Sequence, residues 1–397
     1  MKGKTWNESE TYADPVTGRT VRRLTRWGYY NQTPNYHTNT GFTSDGKWLV
    51  LASGRAGQSM ILKAEVATGD LTELVRVDAM GTRTSQHRGN GNGVGSGDGI
   101  TGDTLCLAPK SHWCVYYVGR SLRAVHLDTF EARTLIADCG AGRIFGHPSV
   151  SPDEQTVVVP IYSGHPELAA GDRITRSYIS FAGEDFPALS LVEVPLAGGA
   201  METLYEEVGC HSAHTPHCPA DGDLILMDRD LPPNLWGGSD GETPRLWLLD
   251  RRSGEVRPLK TEYPAPFQVH AAWTFDGEAV LYHGPLPGGG TYLGVATPAG
   301  ETVREFVMPE ASHYGHLTAD PQRPAWILDG NLFPDLLTWV SYDAETPRVE
   351  VIARHATEWG TMPWQFTHPH PLADPTGRWI SFNAAHRGRS DVFVVRV

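Results

Sequence analysis

Four stretches of the chain repeat one pattern of apolar and polar positions: Gly41-FTSDGKWLVLAS, His147-PSVSPDEQTVVVP, His270-AAWTFDGEAVLYHG and His370-PLADPTGRWISFN. Each has a short apolar segment, a few residues drawn from Asp, Gly, Pro and Ser, and a second segment of alternating or continuous apolar residues. A tight turn of that composition between two such segments predicts an antiparallel hairpin. Further strand pairs follow after variable stretches, among them Met60-ILKAEVATGDLTEL, Leu122-RAVHLDTFEARTLI, Leu189-SLVEVPLAGGAMETLY and Arg245-LWLLDRRSGEVRPL. Tyr292-LGVATPAGETVREF and Leu337-TWVSYDAETPRVEVI continue the series. Four antiparallel strands per repeat, over many repeats, is the pattern of a β-propeller.

Counting the repeat starts places blades near residues 39–78, 102–138, 145–207, 211–262, 268–308, 312–355 and 365–397. The last is incomplete, ending on its third strand, Val392-FVVRV. The missing strand has a counterpart in Asp14-PVTGRTVRRLT, so the N-terminal strand is expected to close the ring and remove a sheet edge. The expected fold is all-β, a seven-bladed propeller forming a single domain over residues 1–397. The glycine-rich segment Arg88-GNGNGVGSGDG reads as a blade connection, because no helix follows it to make a phosphate cradle.

Composition narrows the partners. Lys and Arg total 33 against 46 Asp and Glu, a formal charge of −13. Nucleic acid and anionic membrane need a basic face and are not expected. A small anionic ligand is compatible, since one metal ion and two arginines invert the field locally. The basic start, Met1-Lys2-Gly3-Lys4, is followed by no apolar stretch of a secretory signal, and no run reaches the ~18 apolar residues of a membrane span. Five cysteines without a CxxC pair read as buried free thiols. A cytoplasmic protein is expected.

The histidines carry the candidate chemistry. First strands of propeller blades line the central channel, so residues at their starts converge on one face. His147 stands six residues before Asp153, His270 six before Asp276, and His370 six before Thr376, while His316 fits with one extra residue in its turn. One structural position thus holds histidine in four blades, which points to a site. The densest group is Gln365-Phe-Thr-His368-Pro-His370. Strand alternation would put His368 and His370 on one side, where both imidazoles reach one ion, with Gln365 adding an amide oxygen. A fourth ligand would come from His316 or its rival His313. Imidazole and amide oxygen without thiolate favour manganese, iron or another borderline ion over a closed zinc site.

These residues resemble the oligogalacturonate lyases. Ile352-ARHATEW and Gln365-FTHPHP look like that family's C-terminal signature, and a weaker likeness in Phe42-TSDGKWLVL, Val115-YYVGRSLRAVHLDT and Arg245-LW extends over essentially the whole chain. The family are seven-bladed propellers that bind manganese and cleave short galacturonides by β-elimination. The resemblance implies that Gln365, His368 and His370 ligate metal with His316 as fourth ligand, and that His270 lies beside the substrate. It implies Arg245 as the proton-abstracting base. An arginine is a poor base on pKa grounds and His270 is nearer working pH, so His270 stands as co-catalyst or rival. His147, His214, Tyr36 and His313 are the expected substrate contacts. His214 matches a family histidine, whereas Cys218 stands where the family has arginine, and Arg173, Arg176, Tyr178 and the loop around His165 depart from it. A lyase acting on glucuronate or iduronate next to rhamnose is therefore the alternative. The rival readings are a non-catalytic TolB-like binding propeller and a different metal-dependent sugar enzyme. A serine hydrolase is disfavoured, because Gly93-VGSG lacks the strand–turn–helix context.

Overall fold

The computed structural model describes residues 2–34, 40–80, 99–140, 143–163, 188–210, 214–229, 244–260, 268–286, 290–301, 303–308, 315–330, 333–362 and 364–397. Among them the strands form seven antiparallel sheets, visited in turn as the blades of a β-propeller. Six sheets carry four or five strands, and the fourth carries three, with a single bridge from His217 to Ile225 as its inner edge. No helix among the described residues is long and apolar enough to cross a membrane.

The packing follows from the two-residue period of the strands. In Thr156–Ser163, Val157, Val159 and Ile161 face the second blade while Val158 faces the fourth. In the sixth blade Trp326 and Leu328 face the fifth, and Ile327 faces the seventh. Successive side chains point to opposite faces, so each blade feeds two apolar layers, one on either side. Those layers join the blades in succession and close between the seventh and first, where Val392 and Val394 meet Leu49, Leu51 and Leu62.

Ring closure uses more of the N-terminus than the one strand expected. Thr20–Arg23 pairs with the last strand, Arg389–Arg396, and Glu10–Ala13 adds outside it. Thr5–Asn7 then crosses to the outer edge of the first blade and pairs with Asp70–Val77. The first blade also begins earlier than residue 39, at Tyr30–Gln32, and the Gly41 hairpin shrinks to one bridge between Phe42 and Leu49. This inner strand is buried yet polar. Asn31 donates to the Ser390 carbonyl and accepts from Ser53 Oγ, at 3.0 and 2.7 Å, and Gln32 Oε1 accepts from the Gly102 amide at 3.2 Å. Satisfied polar groups replace the apolar pattern that marks the other inner strands.

A repeated turn sets the height of the first, third, fifth and seventh blades. Thr43, Ser151 and Thr274 donate their hydroxyls to Asp45, Asp153 and Asp276 at 2.6 Å, and accept from the amides of Trp48, Thr156 and Ala279 at 3.0 Å. In the last blade the roles exchange, and Asp374 accepts from the amide and hydroxyl of Thr376. One turn geometry fixes one register, so the histidines six residues upstream of these turns reach the same level of the channel.

Candidate metal centre and active site

Five blades in succession, the third to the seventh, present a histidine at that level. His147, His214, His270, His316 and His370 each precede by three residues the inner position paired with the second strand: Val150, His217, Trp273, Ala319 and Ala373. The extra residue expected in the turn after His316 is absent, because Ala319 pairs with Trp326 at the spacing that separates Trp273 from Val280. The longer turn belongs to the fourth blade, between His217 and Ile225, which hides His214 from a count of residues to the turn.

In the sixth and seventh blades, His316, His368 and His370 offer ligand atoms that lie within 4.8 Å of one another, and all three are buried. The ring centroids of His316 are 4.1 Å from His370 and 5.0 Å from His368. The route to this cluster differs from the expected strand alternation. His368 and His370 lie between a 3-10 turn, Trp364–Thr367, and the short strand Leu372–Ala373, and His370 has φ +45. Left-handed backbone costs a non-glycine residue about 1–2 kcal/mol and persists where its surroundings hold it. Here the Pro369 carbonyl accepts from the Asn383 amide at 2.7 Å and the His370 amide donates to Asp329 at 2.9 Å. Gln365 belongs to the 3-10 turn by its backbone, and its side chain lies outside the described structure, as do Tyr36, His313, His165, Arg173, Arg176, Tyr178 and the glycine-rich loop from Arg88.

His270 abuts this cluster, its ring 4.2 Å from that of His316. It shares the left-handed backbone of His370, with φ +50, and is half-buried. Its Nδ1 lies 2.9 Å from His283 Nε2, which also lies 3.1 Å from the Gly315 carbonyl.

A second group occupies the fourth blade and its neighbours. Asp228 accepts from the His214 amide at 2.8 Å, from His214 Nδ1 at 2.7 Å and from Arg245 Nη2 at 2.7 Å. Burial raises the Asp228 carboxyl, but the charges of His214 and Arg245 outweigh it, so the carboxyl sits well below the ordinary aspartate range. Arg245 is buried and also donates to the Gln268 carbonyl at 3.0 Å, two residues from His270. His147 stacks on His214 with ring centroids 5.2 Å apart. Cys218, by contrast, is a core residue whose Sγ meets the Gly277 carbonyl at 3.4 Å.

Asp228 and Asp329 are the polar residues that reading the sequence for histidines misses. Each ends a second strand of otherwise apolar residues, Leu224–Asp228 and Ala325–Asp329, and each grips the first-strand histidine opposite it. A carboxylate closing an apolar strand, LILMD or AWILD, is the signal that could have found them.

No family model matches the chain. An oligogalacturonide lyase of Pectobacterium atrosepticum is 24% identical over 411 aligned residues, which cover 98% of this chain and 95% of that protein. An oligogalacturonate lyase of Dickeya dadantii is 23% identical, covering 100% of this chain and 98% of its own. Along its whole length the chain is similar to oligogalacturonate lyases. Among solved structures, an oligogalacturonate lyase in complex with manganese superposes with a TM-score of 0.76 at 22% identity, covering 100% of this chain and 98% of that one. An oligogalacturonate lyase from Vibrio parahaemolyticus gives 0.77 at 21% identity, covering 100% and 99%. These structures share the seven-bladed fold.

The opposite end of the channel differs in character from the histidine level. A cavity of about 360 Å³ there is lined by inner-strand residues such as Ser149, His217 and Trp273 and by turn residues such as Pro152 and Pro375, and by none of the five register histidines. His217 Nδ1 lies 3.0 Å from Ser149 Oγ, and burial, helped by Arg251, pushes its pKa down to about 3. An unfolded histidine titrates near 6.5. As pH falls below that value the unfolded chain takes up a proton that folded His217 refuses, so stability is full above it and declines towards pH 3. The loss is about 1.4 kcal/mol per pH unit. Burial lowers His355 to about 4, which adds to the decline over a narrower window. In His217→Gln, the slope of unfolding free energy between about pH 6 and pH 4 is expected to fall by about 1 kcal/mol per unit, read from urea titrations. An unchanged slope would show that His217 is not the group responsible.

Proposed function

We propose that the chain is a divalent-metal-dependent lyase that cleaves short galacturonate oligosaccharides by β-elimination. The observation that carries this reading is the gathering of His316, His368 and His370 within 4.8 Å, beside His270 and next to the buried Arg245–Asp228 pair. The donor set suits an ion: three buried imidazoles from two blades converge as borderline nitrogen ligands and leave coordination positions for further oxygens. Gln365, in the adjoining turn, would supply one, and the likeness to a manganese-bound lyase supports manganese as the ion. Once bound, such an ion supplies electron withdrawal from a uronate carboxylate and so acidifies the proton on C5.

The chain's own groups then divide the work. Arg245 is held charged by Asp228, which suits it to grip an acidic group of the sugar more than to accept a proton. His270 is half-buried beside the histidine cluster, its ring 4.2 Å from that of His316, and it is the imidazole placed to take the C5 proton. The C5–H electron pair becomes the C4–C5 double bond, the C4–O bond breaks, and the leaving oxygen takes up a proton. The product is a 4,5-unsaturated uronate, which rearranges to the 4-deoxy-5-keto form. His147 and His214, stacked beside Arg245, would line the sugar path. The five buried free thiols fit the cytoplasmic setting expected from composition.

The test is ultraviolet absorbance of the conjugated product on adding digalacturonate. Absorbance should grow, stop with a chelator and resume with Mn²⁺. Growth only with glucuronate or iduronate linked to rhamnose would move the substrate. A flat trace with every uronate in the presence of metal would overturn the lyase reading.

A further inference from the structure

We infer that Asp329 is a positioning residue of the metal centre: its buried carboxylate fixes His316 with the proton on Nδ1 and ties the backbone of His370 to the same point. The inference rests on the proposed metal-dependent function. Asp329 is fully buried, at 0% exposure, and three donors from two blades converge on it. The His316 amide reaches Oδ1 at 2.5 Å, the His370 amide reaches Oδ2 at 2.9 Å, and His316 Nδ1 lies 3.3 Å from both oxygens. A carboxylate accepts and does not donate, so the imidazole nitrogen facing it carries hydrogen. Nε2 of His316 is then the unprotonated nitrogen, with its lone pair available to an ion.

The second tie matters as much as the first. His370 sits in a strained left-handed conformation directly before Pro371, and its amide is anchored on Asp329. By accepting from both amides, Asp329 sets the spacing between a ligand of the sixth blade and one of the seventh. The fourth blade gives an internal comparison. Asp228, at the equivalent end of its second strand, holds the His214 amide and Nδ1 in the same way, but its third donor is Arg245. The same carboxylate device therefore orients a histidine in both blades. It builds an ion site only in the sixth, where the third donor is the backbone of another candidate ligand.

Partners of this kind typically contribute 10–100-fold to metal affinity. Asp329→Asn should therefore bind Mn²⁺ about 10–100-fold more weakly by calorimetric titration and give an altered Mn²⁺ paramagnetic resonance spectrum. Asp228→Asn, which loses the equivalent carboxylate, should leave the Mn²⁺ dissociation constant unchanged. Unaltered affinity and spectrum in Asp329→Asn would overturn the assignment. Because a buried substitution can prevent folding, the metal-free wild-type chain supplies an independent readout. Long-range ¹H–¹⁵N spectra of ¹⁵N-histidine protein should show His316 protonated at Nδ1, and protonation at Nε2 would overturn the proposal. Failure of the wild-type chain to bind Mn²⁺ would instead strike the lyase reading, since the tautomer is read without metal.

Discussion

His370→Asn is expected to fold and to lose its divalent ion. Asparagine tolerates left-handed backbone better than most residues, so it can keep the φ of +45 and the amide bond to Asp329. What it removes is the imidazole lying 4.1 Å from His316, one of the three in the histidine cluster. Losing a proposed direct ligand should cost more than the roughly 100-fold upper range typical of supporting residues. Elemental analysis after dialysis should therefore find no stoichiometric manganese, while thermal unfolding of the metal-free protein stays close to that of the wild-type chain. Turnover should vanish with the ion. A variant that retained one tightly held manganese per chain would show that the cluster is not the binding site.

That cluster was legible from the sequence to an uneven degree. The propeller and the number of blades follow from the recurring strand pairs, and the common level of His147 and His270 from a repeated turn of a hydroxyl, an aspartate and a left-handed position, with His370 before a turn in which the aspartate and hydroxyl exchange places. Strand alternation was the wrong route to His368 and His370, because two prolines and a positive φ replace the extended strand. His214 lay hidden behind a longer turn, and Tyr30–Gln32 behind a buried polar composition. Asp228, Asp329 and His283 come from second strands, and their importance lies in which first-strand residue they oppose. Register between strands is a tertiary fact, set by turn length and bulges, such as the one between Val269 and Ala272. Histidines announce themselves by type, whereas their supporting carboxylates do so only once the register is known.

Asp228→Ala is expected to be among the most destabilising single changes in the fourth blade, at about 3–5 kcal/mol, because it takes the paired carboxylate away from a buried guanidinium. The Asp228 and Arg245 side chains are 3% and 7% exposed, and the same carboxylate satisfies the His214 amide and Nδ1. Removing it leaves three donors facing low dielectric. Removing the cation as well should cost less than the sum of the two single changes, since Asp228→Ala with Arg245→Met removes both members of the buried ion pair. Urea unfolding of the two single variants and the double variant gives the coupling energy directly, and strict additivity would mean that the pair is not an interacting unit. Arg245→Lys supplies the functional arm. It keeps a positive charge but not the planar fork that reaches Asp228 and the Gln268 carbonyl together, so Mn²⁺ binding should persist while turnover on digalacturonate falls. Normal turnover in Arg245→Lys would release Arg245 from the reaction, and loss of metal would mean that the two groups of the site are not separable. The arrangement has a simple logic: Asp329 stands behind the three-histidine cluster and Asp228 behind Arg245, each carboxylate buried and each gripping a histidine at the same level of the channel.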